Sequence, residues 1–96
     1  GRLGAGSSRV LAPRAELAAP ALADLLALDD AGFRAVFAGS PIKRIGRDRM
    51  VRNAAIAAGN SGSVELVEPL KALVDDPSHV VRDAADWGLT ELALHE

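Results

Sequence analysis

The sequence contains no cysteine and no tyrosine, and its 96 residues include only three aromatic side chains, Phe33, Phe37 and Trp87. Without thiols the chain can form neither disulfides nor zinc–thiolate sites, and it cannot ligate an iron–sulfur cluster. The absence of cysteine also fits a cytoplasmic protein. No apolar run approaches the roughly 20 residues that a membrane-spanning helix requires, and the N-terminus lacks the apolar core of a signal peptide.

The apolar residues that are present, 49% of the chain, are mainly Ala and Leu. Both residues favour helices, and Ala lets neighbouring helices approach closely. Few residues suit a strand, and the length suffices for one modest core. The composition therefore predicts a single all-α domain.

Turn and capping residues divide the chain into about five predicted helices. The first predicted helix is Pro20–Leu28. The second is capped by Asp29 or Asp30, has Phe33, Val36 and Phe37 as its apolar stripe and ends at Gly39. The third is Arg47–Ala58, and Gly59-Asn60-Ser61-Gly62 ends it. Gly and Asn favour this last turn because they tolerate a left-handed backbone conformation.

The remaining two helices carry prolines near their starts. The fourth is predicted to begin at Ser63 with an irregular first turn near Pro69, and to bury Val67, Leu70, Leu73 and Val74. The fifth is predicted to have Asp76 as its N-cap and Pro77 at its first position. Its predicted apolar face is Val80, Val81, Ala84, Ala85, Leu89 and Leu92, with Trp87 at one edge.

A short internal repeat links the third and fifth predicted helices. Met50–Ala55 aligns with Val80–Ala85 at an offset of 30 residues, and both segments read as two apolar residues, Arg, a short polar residue and two Ala. The Asp76–Ala85 segment resembles the second helix of HEAT-like repeats. We therefore predict a short α-solenoid of two to three helix pairs.

The charges are distributed unevenly along the chain. Residues 1–52 carry nine cations and five anions, whereas residues 53–96 carry two cations and eight anions. Five of the cations fall within ten positions: Lys43, Arg44, Arg47, Arg49 and Arg52. Because like charges repel, such a cluster at the start of a helix is typical of a surface that meets an anion, and a phosphate backbone fits best.

Each of these residues also has a structural interpretation. Arg52 and its repeat equivalent Arg82 can serve the scaffold, and Trp87 can pack between helices rather than bind a ligand. The basic segment itself holds no aromatic residue for base stacking, which leaves arginine planes and the amides of Asn53 and Asn60 for base contacts. Asn60 also fits a simple helix-ending turn.

No catalytic site is predicted. The two histidines, His79 and His95, have no nearby Ser or Cys nucleophile in a known arrangement, and no phosphate-binding loop is present. Of the adjacent carboxylates Asp75 and Asp76, the second is expected to cap a helix.

Several of these motifs together resemble the C-terminal region of the bacterial epoxyqueuosine reductases. The residues that carry the resemblance are Phe33-Arg34, Phe37, Gly39–Arg44, Gly46-Arg47, Arg49, Arg52-Asn53, Ala57 and Gly59–Gly62, with Asp76–Leu89 and the upstream Leu11–Arg14 and Leu17–Pro20. The resemblance implies a parent enzyme that reduces epoxyqueuosine to queuosine in the tRNA anticodon loop, with a cobalamin and two 4Fe–4S clusters held upstream of this region.

The composition of the N-terminus predicts a flexible lead-in over residues 1–12. On the resemblance, residues 13–96 are expected to be a non-catalytic repeat domain of a longer protein. It implies partners in the tRNA anticodon stem-loop and the upstream catalytic domain. RNA contacts are predicted for Lys43, Arg44, Arg47, Arg49, Arg52 and Asn53. The alternative is a module that docks onto protein, including its own catalytic domain, without touching RNA.

Overall fold

The computed structural model describes residues 19–94. Within that range the chain forms five α-helices and two 3-10 helices, and it contains no strand. In chain order they are α1 (Ala19–Leu26), α2 (Asp30–Val36), a first 3-10 helix (Pro41–Ile45), α3 (Gly46–Ser61), a second 3-10 helix (Val64–Leu66), α4 (Val67–Lys71) and α5 (His79–Leu94). The all-α prediction is confirmed, whereas the lead-in predicted for residues 1–12 lies outside the described residues. None of the helices in residues 19–94 is long and apolar enough to span a membrane.

The predicted cap at the start of the second helix is confirmed. Asp29 is the N-cap of α2, and its side chain accepts a hydrogen bond of 2.7 Å from the backbone N–H of Gly32. Phe33 is buried and its ring lies 5.0 Å from that of Phe37. The predicted apolar stripe is wrong at Val36, whose side chain is largely exposed, because this helix of two turns presents only one side to the core.

The core lies mainly between α3 and α5, the two elements that carry the repeat. Val51, Ala54 and Ala55 on α3 are buried, as are their counterparts Val81, Ala84 and Ala85 on α5. Ala58 of α3 and Leu92 of α5 belong to the same cluster, which leucines from other segments complete: Leu22, Leu26, Leu66, Leu70 and Leu73. Because the Ala pairs have small side chains, the two long helices can lie close together, as the repeat predicts.

The predicted end of the third helix at Gly59 is wrong. Helix α3 continues through Gly59 and Asn60 to Ser61, and the left-handed residue that ends it is Gly62 at φ 73°. Gly59 is needed inside the helix because a Cβ there would lie 2.8 Å from Trp87 Cζ3 and 2.9 Å from the Cα of Gly88. Close packing against α5 therefore explains a glycine that the sequence pattern assigns to a turn.

The segment between α3 and α5 follows the predictions only in part. Ser63 occupies the predicted N-cap position but makes no side-chain capping bond. The predicted irregular start of the fourth helix is confirmed, because a 3-10 turn precedes the five-residue α4. Asp76 is not the N-cap of α5, which begins two residues after Pro77, at His79. Val74 and Val80, both predicted to be buried, are partly exposed.

Replacing Gly59 by Ala should destabilise the protein. The added methyl group would overlap Trp87 and the Gly88 backbone, at a cost of about 1–3 kcal/mol that outweighs the gain of roughly 1 kcal/mol in helix propensity. Asn60→Ala, at an exposed position in the same turn, is the matched control and should leave the melting temperature unchanged or slightly higher. Thermal unfolding followed by circular dichroism measures both, and an increase in melting temperature for Gly59→Ala would contradict the packing argument.

Candidate nucleic-acid interface

The first 3-10 helix holds two of the clustered cations on a short, well-defined element. Its N-cap Ser40 accepts a 3.2 Å hydrogen bond from the backbone N–H of Ile42, and Pro41 occupies its first turn. Gly46, which caps this element and begins α3, has φ 83° and ψ 160°, a backbone conformation that only glycine adopts readily. Lys43 and Arg44 therefore project from one element while the other cations project from the next.

Lys43, Arg44 and Arg49 form an exposed basic surface. All three residues are exposed, and none of the carboxylates among residues 19–94 forms an ion pair with them. Lys43 and Arg44 line a shallow hollow of about 540 Å³ together with Gly39, Ser40 and Pro41. Within the part of the chain that the structure describes, the three positive groups thus have no carboxylate partner.

Arg47 differs from the other clustered cations because it is nearly buried, with a side chain only 11% exposed. Its two terminal nitrogens donate to the two oxygens of Asp76, at 2.9 and 2.7 Å. Its Nε donates to the carbonyl of Leu28 at 2.8 Å, and one terminal nitrogen also bonds Asp48 at 3.0 Å. Four of the five guanidinium donors are thus engaged within the protein.

This bidentate ion pair shifts both partners towards their charged forms. The hydrogen bonds from Arg47 hold the pKa of Asp76 below its ordinary value against the opposing effect of burial, and the Ser78 N–H adds a further 3.0 Å bond. The carboxylate in turn raises the pKa of Arg47. Asp76 thus binds the start of α3 instead of capping α5, which is the physical reason that the predicted N-cap is wrong.

Arg52 and Arg82, equivalent in the repeat, have different surroundings. Arg82 donates to the carbonyls of Asp76 and Pro77, at 2.8 and 3.1 Å, and so supports the loop before α5. Arg52 instead bonds the side chain of its neighbour Asn53, at 2.9 and 3.2 Å, and remains half-exposed. The scaffold interpretation is confirmed for Arg82 by these contacts, while Arg52 and Asn53 stand at the surface.

A groove between α3 and α5 begins beside the basic surface. Its main hollow, about 400 Å³, is lined by Arg52, Ile56, Val80, Asp83, Ala84 and Trp87. An adjoining hollow of about 250 Å³ shares Arg52 and Val80 and adds Ile45, Asp48 and Arg49.

Trp87 is 40% exposed in this groove, although the basic segment contains no aromatic residue of its own. An exposed aromatic side chain therefore lines the same hollow as Arg52 of the basic segment. The repeat in the sequence could have indicated that Trp87 lies near the basic segment. It aligns α3 with α5, and these helices pack side by side and bring together residues about 30 positions apart.

The described residues offer no site for a metal ion. Among residues 19–94, no group of three or more Asp, Glu or His side chains could hold one. His79 is exposed at the start of α5, and His95 lies outside the described residues.

The chain is similar to one region of several epoxyqueuosine reductases. It is 37% identical over 82 residues to the epoxyqueuosine reductase of Xanthomonas campestris pv. campestris, a match that covers 84% of this chain and 23% of that protein. For the enzyme of Pseudomonas aeruginosa the identity is 37% over 78 residues, covering 80% of this chain and 22% of that protein. The enzyme of Alicycliphilus denitrificans is 36% identical over 86 residues, 81% of this chain and 24% of its own length.

The match therefore concerns a part of a larger protein. The chain spans less than a quarter of the length of these curated relatives. No family model matches it, and no solved structure is similar to it. The resemblance inferred from the motifs is confirmed at the level of a region of epoxyqueuosine reductase.

Arg47→Lys should destabilise the protein even though it keeps the charge. Lysine cannot reproduce the paired bonds to Asp76 or the bond to Leu28, so we expect a loss of roughly 2 kcal/mol in the free energy of unfolding. Arg49→Lys, at an exposed position two residues away, is the control and should stay close to the wild type. Urea denaturation distinguishes them, and equal midpoints would show that the ion pair contributes nothing specific.

The same ion pair predicts how stability depends on pH. The pKa of Asp76 is lower in the folded state than in the unfolded state, where it is about 4. The ionised side chain therefore stabilises the fold fully at pH values above the unfolded-state pKa, and this stabilisation is lost as the pH falls through the folded-state pKa. Asp76→Asn should be less stable than the wild type at pH 7, by about 3 kcal/mol, and this difference should shrink on acidification. Unfolding curves at pH 7 and pH 3 test this prediction. The control is Asp75→Asn, at an exposed position, which should be as stable as the wild type at both pH values. If Asp76→Asn were less stable than the wild type by the same amount at both pH values, the prediction would be contradicted.

Proposed function

We propose that this chain is the non-catalytic helical-repeat region of an epoxyqueuosine reductase and that it contacts tRNA. The observation that carries the proposal is the exposed basic surface of Lys43, Arg44 and Arg49, whose cations have no carboxylate partner among residues 19–94. The parent enzyme would reduce epoxyqueuosine to queuosine in the anticodon loop. The similarity to a region of enzymes of that name supports the assignment.

Phosphate is the anion that suits this surface. Guanidinium and ammonium groups bind phosphate oxygens through charge-assisted hydrogen bonds, and contacts of this kind fix the position of a nucleic acid without reading its sequence. The three groups project from the first 3-10 helix and from the first turn of α3, so they can follow successive phosphates rather than a single one. Such contacts make binding depend strongly on salt concentration.

The remaining predicted contacts take different roles in this proposal. Arg52 and Asn53, joined to each other by hydrogen bonds, border the basic surface and are candidates for contacts to sugar or base. Arg47, with four donors engaged, supports the surface by fixing the start of α3. The repeated Arg and Ala positions on α3 and α5 support a HEAT-like unit, and hence the short α-solenoid predicted from the sequence.

The cofactors of the proposed parent would be held elsewhere. Iron–sulfur clusters are ligated by cysteine thiolates, and this chain has no cysteine, so it cannot hold the two clusters. The cobalamin and the catalytic residues likewise belong, in this proposal, to the remainder of the protein.

A second function, docking onto protein, is favoured by exposed apolar side chains on other elements than those that carry the basic surface. Val64 is 57% exposed on the second 3-10 helix and Val36 is 61% exposed at the end of α2. A region that forms under a quarter of a larger protein needs such contacts with the rest of it. This role and RNA binding use different residues and are compatible.

Arg44→Ala/Arg49→Ala should weaken binding of the chain to an anticodon stem-loop RNA. Each lost phosphate contact lowers the dependence of log K on log salt by roughly 0.7–0.9, so we expect a slope smaller by between 1 and 2 and an affinity reduced about tenfold or more. Fluorescence anisotropy of a labelled RNA at several salt concentrations measures both quantities.

The matched control is Arg34→Ala/Lys71→Ala, which removes two exposed cations outside the basic surface. It produces the same change in net charge, so a purely non-specific attraction would weaken equally in both variants. Arg47 is left intact because its loss would affect folding. Equal salt slopes for the wild type and Arg44→Ala/Arg49→Ala would refute RNA contact and favour the docking function.

A further inference from the structure

We propose that the groove between α3 and α5 is a nucleobase site that selects an unpaired guanine. The site consists of Trp87 as a stacking surface, Arg52 at the side that faces the basic surface, and Asp83 as the acceptor of the base's N–H groups. This inference rests on the proposed function, because it adds base recognition to a surface that holds the RNA backbone.

Trp87 has the exposure that stacking requires. Its six-membered ring edge packs against Gly59, as the close approach of Cζ3 and Cε3 to that residue indicates, which fixes the orientation of the indole. The residue is nevertheless 40% exposed and lines the hollow of about 400 Å³. Bases stack on aromatic side chains with a gain of about 1–3 kcal/mol each, and a held ring loses little entropy in doing so.

The rest of the lining distinguishes a base from a purely apolar occupant. Ile56, Val80 and Ala84 supply apolar walls, but Arg52 and Asp83 bring one cation and one carboxylate to the same hollow. An apolar side chain would leave both charges without partners in the contact, which is costly. A heterocyclic base presents planar faces to the apolar walls and hydrogen-bonding groups at its edge, so it fits both kinds of lining.

Asp83 is the group that favours guanine. An ionised carboxylate only accepts hydrogen bonds, and its two oxygens can accept two parallel bonds. Guanine presents two neighbouring donors, N1–H and the 2-amino group, on its Watson–Crick edge, and that edge is free only in an unpaired base. Uracil and adenine offer one donor group each on that edge, together with an acceptor that a carboxylate would repel.

The groove and the basic surface are continuous. The hollow that contains Arg49 shares Arg52 and Val80 with the hollow that contains Trp87. A strand whose phosphates lie on Lys43, Arg44 and Arg49 therefore passes the open side of the groove. This continuity and the match of charges are what identify RNA, rather than a peptide, as the occupant.

Intrinsic fluorescence tests the stacking directly because Trp87 is the only tryptophan and tyrosine is absent. The full chain is titrated with a short single-stranded RNA carrying one guanine in a uridine background, and with the same RNA carrying inosine, which lacks the 2-amino group. Labelled RNA anisotropy is recorded in parallel. We expect quenching of Trp87 with the guanine RNA and about tenfold weaker binding of the inosine RNA, as loss of a hydrogen bond to a charged group predicts.

Asp83→Asn should bind the guanine RNA more weakly than the wild type and should lose the preference over inosine. Glu65→Gln, which neutralises an exposed carboxylate outside the groove, is the matched control and should keep the preference. Removing a negative charge by itself favours RNA binding, so non-specific electrostatics predicts a higher RNA affinity for Asp83→Asn. The base site predicts a lower affinity for this variant, and the measurement therefore distinguishes the two explanations. Trp87→Phe should keep most of the affinity, whereas Trp87→Leu should lose about tenfold.

The outcomes separate this inference from the proposed function. Anisotropy that reports binding without any change in Trp87 fluorescence would overturn the base site and leave RNA contact by the basic surface intact. Quenching that is equal for guanine and inosine would overturn the role of Asp83. Absence of binding in both measurements would overturn the proposed function together with the base site.

Discussion

The ion pair between Arg47 and Asp76 is the contact on which the arrangement of the other elements depends. It joins three segments that are distant in sequence, since Arg47 also bonds the carbonyl of Leu28 after α1 and Asp76 lies in the loop before α5. Both side chains are nearly buried, and a buried charge is tolerated only when it is paired and hydrogen-bonded. Together with the apolar packing between α3 and α5, this contact ties the start of α3 to the segment after α1 and to the loop before α5.

This contact also divides the basic cluster into two kinds of residue. Composition and spacing treat Lys43, Arg44, Arg47, Arg49 and Arg52 as equivalent, but Arg47 is held inside the protein while the others reach solvent or the groove. Arg49 stands on a fixed element because Arg47 anchors the start of α3. A count of positive charges along the sequence thus overstates the number of exposed cations, because Arg47 is nearly buried.

Features decided by neighbouring residues could be predicted from the sequence, and features decided by distant ones could not. The number of helices, the Asp29 cap and the buried Ala54-Ala55 and Ala84-Ala85 pairs follow from local propensity and periodicity. Gly59 reads as a helix stop in its own segment, yet it lies inside α3 because Trp87 and Gly88 occupy the space of a side chain. Asp76 has the sequence context of a helix cap, but its carboxylate instead accepts hydrogen bonds from Arg47, 29 residues away. The groove required the same long-range information, since its two walls come from helices about 30 residues apart.

The backbone conformation of Gly46 has a consequence for how shape and charge are encoded. Its positive φ sets the angle between the first 3-10 helix and α3, and thus the spacing of Lys43 and Arg44 from Arg49. Any residue with a Cβ would be strained there, so a substitution would change that angle, and with it the spacing of the cations, without removing any positive charge. In the proposed RNA contact, the spacing of the cations would therefore be controlled separately from the strength of the attraction. A related chain could then change the geometry of that contact by altering one uncharged position.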